Sequence, residues 1–187
     1  MMIAAAAAMA LVPSCGSGSA TPAPAAAVPV PAISGLTRCA TSALAMSVDD
    51  SQAGAAAGST FYPIDFTNRS SAVCGMTGYP GVSFVTAPDS TGRQIGAAAQ
   101  RNSSFGVTTV RLAAGGQAHA WLQVAQAASY PVATCHSMTA RGLRVYPPGE
   151  GTAGYVARDF IACSAGSAPL LTVLPVRPGK GTRGNTP

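Results

Sequence analysis

Gln117-Ala118-His119-Ala120-Trp121-Leu122-Gln123-Val124-Ala125 alternates without a break. Ala118, Ala120, Leu122 and Val124 share one side, and Gln117, His119, Trp121 and Gln123 share the other. Successive side chains of an extended chain point to opposite faces, so the stretch reads as a β-strand with an aliphatic face toward a core. Before it, the β-branched and apolar run Val107 to Leu112 is turned by Ala113-Ala114-Gly115-Gly116 into this strand.

The same pattern extends outward in both directions. Tyr62, Ile64 and Phe66 alternate with Pro63 and Asp65, which places Asp65 on an outer face, and Thr67-Asn68-Arg69-Ser70-Ser71 ends that strand in residues that hydrogen-bond their own backbone. Asn68-Arg69-Ser70 formally matches a glycosylation sequon and is read as turn chemistry. Val73 to Met76, Val82 to Thr86, Gln94 to Ala98, Cys135 to Tyr146, Tyr155 to Cys163 and Leu170 to Pro175 read as further strands, and Leu36 to Val48 opens the series. Short strands separated by turn signals every ~8–12 residues are the pattern of a sandwich. The expected fold is therefore all-β, an immunoglobulin-like antiparallel β-sandwich over residues 36–178, with no fold-defining helix.

Composition agrees with that class. Lys and Glu occur once each, at Lys180 and Glu150, which removes the usual exposed helix formers. The net charge of +5 comes mostly from scattered Arg, with no basic run and no interleaved aromatics, so nucleic acid is not an expected partner.

The apolar residues 1–14 are too few to span a bilayer and have the length of a signal-peptide core. They run into Val12-Pro13-Ser14-Cys15, which looks like a lipobox with Cys15 as the lipidated residue, although Pro13 is atypical and no basic residue precedes the run. The alternative is ordinary secretion, with cleavage at an Ala-rich site before Val28. Residues 15–35, rich in Ala, Pro and Ser, read as a disordered tether, and 179–187 as a loose tail. The expected location is the extracellular face of the cell membrane, reached through a lipid anchor only, or free secretion.

Four cysteines remain, Cys39, Cys74, Cys135 and Cys163, none at metal-ligand spacing. In an oxidising compartment they imply two disulfides. Antiparallel pairing of consecutive strands brings Cys39 toward Cys74 and Cys135 toward Cys163, closing loops of 35 and 28 residues. Each link stabilises by roughly 3–4 kcal/mol on a chain-entropy account.

Thr67-Asn68 to Cys74, Gly78-Tyr79-Pro80-Gly81-Val82, Leu112-Ala113-Ala114-Gly115-Gly116 to Ala120, Leu143-Arg144-Val145-Tyr146-Pro147-Pro148-Gly149 and the late Cys163 follow one another in a telling order. In that order they resemble an actinobacterial secreted and lipoprotein family catalogued as domain of unknown function 4232, across nearly all of 36–178. The resemblance implies a β-sandwich in the envelope and implies no activity.

No constellation of residues identifies a reaction. His119 and His136 are the two histidines, there is no G-x-S-x-G elbow, and none of the six acids sits where its pKa has reason to rise. Asp159 beside Arg158 reads as an ion pair, and Asp49-Asp50 as a solvated turn. A metal held by the two histidines lacks a third ligand, and no cofactor is expected. The expected function is non-catalytic binding or scaffolding, with an envelope protein or a cell-wall glycan as partner. A secreted hydrolase acting on cell-wall or ester substrates is the alternative. The candidate binding face is His119, Trp121 and Gln123, joined by the Tyr79-Pro80 and Tyr146-Pro147-Pro148 turns. Taken singly, each is explained as well by packing: Trp121 capping a sheet, the tyrosines forming corners of the sandwich.

Overall fold

The computed structural model describes residues 35–187; the expected signal peptide, Cys15 and the expected tether up to residue 34 lie outside the described residues. Thirteen strands occur among those residues. They are β1 (Leu44–Val48), β2 (Gly54–Ala56), β3 (Ser59–Asn68), β4 (Cys74–Thr77), β5 (Gly81–Val85), β6 (Gln94–Ile95) and β7 (Gln100–Arg101), then β8 (Thr109–Leu112), β9 (Gln117–Ala125), β10 (Ser137–Tyr146), β11 (Gly154–Cys163), β12 (Leu171–Val173) and β13 (Arg177–Pro178). The single α-helix among the described residues, α1, is one turn at Val132–Cys135.

One sheet runs β1-β3-β9-β12-β7, with β2 added to β3 and β13 added to β9. The second runs β11-β10-β5-β6, and β4 pairs with β8 in a small third sheet. All pairings between strands are antiparallel except β12 with β7. The long ladder of β3 on β9 sets Asp65 opposite His119 and Pro63 opposite Trp121.

The core lies between the two larger sheets. Ile64, Phe66, Ala118, Ala120 and Leu122 enter it from the first; Phe84, Leu143 and Val145 enter from the second. Except for Phe84, these are the inward positions that alternation assigned. Phe160 closes one side, edge-on to Tyr62 and tilted against Phe84.

Both disulfides form as expected, Cys39–Cys74 and Cys135–Cys163. Their settings differ from the simple hairpin picture. Only Leu44–Val48 of the opening segment is strand; Cys39 lies in an extended stretch where Arg38 bridges Gly75 in parallel. Cys135 ends α1, and His136 leaves that turn with φ +49° before β10 begins.

Two of the sequence motifs, the turn after Asn68 and the Leu112–Gly116 turn, meet at one buried side chain. Asn68 is wholly buried; its Nδ2 donates to the carbonyls of Ala72, Leu112 and Ala113, and its Oδ1 accepts from Ser70 N–H and Oγ–H. Its backbone also bonds Gly115 and Gly116. One side chain therefore satisfies the carbonyls of two turns that no ladder reaches, as buried polar groups require.

Two expectations are corrected. Asp65 does not face solvent; it is 2% exposed. The segment 179–187 is not loose. It lies across the outer face of β3 and β9, and it is what covers Asp65.

Candidate functional site

The site is the outer face of β3 and β9 together with the segment that crosses it. Gly179, at φ +78°, turns the chain after β13, and its N–H bonds the Gln117 carbonyl. Gly181 then passes so close to β3 that a Cβ there would overlap Pro63. From this low pass the Gly181 N–H donates to Asp65 Oδ1 at 2.8 Å. A short 3-10 turn at Arg183–Asn185 follows, closed by Thr182 N–H donating to Asn185 Oδ1 at 2.8 Å.

Two side chains of β9 hold this strap. His119 Nδ1–H donates to the Gly179 carbonyl at 2.9 Å, and Trp121 Nε1–H donates to the Asn185 carbonyl at 3.0 Å. The two rings meet edge to face, their centroids 5.9 Å apart. At the rim, Lys180 pairs with Asp49 at 2.8 Å and the Arg183 N–H bonds Gln52 Oε1.

Beside the strap lies a cleft of about 330 Å³. His119 and Trp121 form its floor; Leu174, Pro175, Pro178 and Pro187 supply apolar wall; Phe105 stands at the rim, 36% exposed. Arg177 lines it too, but its guanidinium donates to the Gly106 carbonyl at 2.8 Å, which anchors the Phe105 loop to β13. The cleft is therefore aromatic and mostly apolar, with the Arg177 guanidinium on its wall.

The electrostatics follow from burial. Loss of water raises the Asp65 carboxyl above the ordinary aspartate range, against the lowering effects of the Gly181 N–H, Lys180 and His119. Among the described residues its Oδ2 has no hydrogen-bond partner. Asp49 is the reverse case: bonds from Lys180 and Ser51 hold its carboxyl down to about 2.

Asp65 and His119 face one another across the ladder. Their bonds run elsewhere, however. The His119 Nδ1–H goes to Gly179 and Asp65 Oδ1 to Gly181, so the carboxylate does not orient the ring as an acid–base triad requires. His136 is exposed, on the turn that follows Cys135. No group of three metal-ligating side chains occurs among the described residues.

The predicted binding trio separates. His119 and Trp121 line the cleft, each only 3% exposed. Gln123, two positions on, donates to Ser59 Oγ at 3.2 Å and lies outside it. Tyr79 is half-buried with its hydroxyl on the Asn102 carbonyl, and Pro147 and Pro148 are buried, so those turns pack as corners. Sequence reasoning missed Phe105, Arg177, Asn185 and Pro187. A signal for the last two existed in Thr182-x-x-Asn185, the spacing of a helix-start box.

A larger concavity, about 410 Å³, opens between β3 and β11. Its cation is already engaged: Arg158 lies 4.2 Å from the Tyr62 ring centroid and 4.0 Å from that of Phe160, and it pairs with Asp50.

No curated protein and no solved structure matches the chain. Residues 39–177, from the first disulfide to the strand that precedes the strap, match the family described as Domain of unknown function (DUF4232), and the chain belongs to that family.

Proposed function

We propose that the chain is a non-catalytic binding or scaffolding domain of the cell envelope, an immunoglobulin-like sandwich exported and tethered by lipid on Cys15. Its partner is an envelope protein or a cell-wall glycan, engaged at the cleft over Trp121 and His119. The observation that carries this reading is the cleft itself: an aromatic floor and proline walls, with the Arg177 guanidinium beside them. Concave, mostly apolar sites with a few fixed polar groups are where proteins take ligands. Two disulfides in a small β domain fit an oxidising compartment.

The test is retention of envelope and cell-wall fractions on the immobilised full chain, compared with Phe105→Ala. Phe105 stands at the rim, so its truncation leaves the core intact while removing apolar contact area. Loss of retention with an unchanged melting temperature supports the reading; retention indifferent to Phe105→Ala places the partner elsewhere. Turnover of esters, glycans or peptides that disappears in a folded His119→Gln protein would establish the hydrolase instead. Lipid on Cys15 is checked by mass spectrometry of the mature N-terminus, where an unmodified terminus beyond Cys15 rejects the anchor.

A further inference from the structure

The segment that lies on Trp121 describes the ligand the cleft is built for. Asn185 presents its carbonyl to the indole N–H at 3.0 Å, Thr186 continues with φ −62° and ψ 135°, and Pro187 sits in the cleft. Those angles are polyproline II geometry. An extended segment, a carbonyl on a tryptophan N–H and a proline ring in an aromatic groove are together the way proline-bearing peptides are recognised. Trp121 belongs to this arrangement and not to the main core, for it is buried but packs outside the core cluster.

We propose that the strap 179–187 is an intramolecular occupant of a peptide site, and that the cleft binds an extended, proline-bearing segment of another protein in the same manner. This rests on the binding reading above and narrows its partner from protein or glycan to peptide. The cleft's lining supports the choice: Leu174, Pro175, Pro178 and Pro187 offer aliphatic and pyrrolidine surface to an extended proline-bearing chain. Pro175 and Pro178 line the same cleft as Pro187.

The strap can be lifted without shortening the chain. A β-branched side chain at Gly181 cannot fit against Pro63, so Gly181→Val displaces the strap while leaving the sheets intact. Trp121 is the single tryptophan, so its fluorescence reports the site alone. The full chain and Gly181→Val are titrated with the synthetic peptide Gly-Asn-Thr-Pro-Ala-Pro and with its counterpart in which both prolines are alanine. The proline peptide is expected to bind Gly181→Val at least about tenfold more tightly than the unaltered chain, as when an occupant present about nine-tenths of the time is removed. The alanine peptide is expected to bind more weakly to both.

Asp49→Asn, which frees Lys180, is a milder opening and should move affinity the same way; it carries the test if Gly181→Val does not fold. Equal affinity for the two peptides, or no gain on opening, overturns the proposal. If soluble wall-glycan fragments perturb Trp121 in the opened protein and the proline peptide does not, the peptide class falls and the binding reading stands. If neither ligand perturbs it, both fall.

Discussion

Trp121 stands opposite Pro63 on the ladder, and its indole N–H has no ladder partner to satisfy it. The Asn185 carbonyl does so, and in return Trp121 becomes the anchor of the strap. Trp121→Ala should therefore lower stability by roughly 3–5 kcal/mol, as for other buried aromatics. Trp121→Phe keeps most of the ring and loses the bond, at a cost of about 1 kcal/mol. Urea unfolding separates the two. Asp65 shows the opposite economy, a buried carboxyl whose pKa is raised by loss of water. The native state then holds its proton to a higher pH than the unfolded chain does. Stability falls as pH rises from the ordinary aspartate value through that raised one, and the slope belongs to Asp65. In Asp65→Asn the slope should vanish from urea midpoints measured across that window; a slope that persists assigns it to another group.

Elements were legible where a face met the core. Alternation gave β9 to the residue, and it placed Ile64 and Phe66 inward on β3. It failed for Asp65 and for the outer face of β9, because period two says which side chains share a face and nothing about what lies over it. β7 and β13, two residues each, and β2, three, are too short to carry a pattern. The one-turn α1 lies just ahead of β10, and its last residue, Cys135, reads as strand in the sequence. The Cys135–Cys163 pairing survived that error because Ser137, two residues later, does stand opposite Cys163. Removing either disulfide by Cys→Ala should cost ~2–5 kcal/mol. Gly96 offers a sharper test of the same corner: it sits at φ +63°, and a Cβ there would strike the Cys163 carbonyl. Gly96→Ala should destabilise by at least about 1–3 kcal/mol through backbone strain alone, read as a lowered urea midpoint, whereas Gly151→Ala, in open space, should be nearly silent.

At the scale of the molecule, the strap converts an outer sheet face into a closed one. Its Gly-rich, low-hydrophobicity composition read as a loose tail, since composition measures what a segment can bury by itself. What orders it is non-local: the carbonyls of Gly179 and Asn185 on β9, and a carboxylate on β3 that is 116 residues away in sequence from Gly181. The Lys180–Asp49 pair adds a rim contact, and its Asp49 carboxyl is held down to about 2. That contribution is complete above the ordinary aspartate range and is lost as pH falls toward 2, so the strap should loosen in strong acid even as protonation relieves Asp65. The most direct test is the accessibility of Trp121 at neutral pH, read as its emission maximum and its quenching by acrylamide. The closed face predicts blue-shifted, weakly quenched emission in the unaltered chain and red-shifted, readily quenched emission in Gly181→Val. Equal and ready quenching in both would mean that the strap does not cover Trp121.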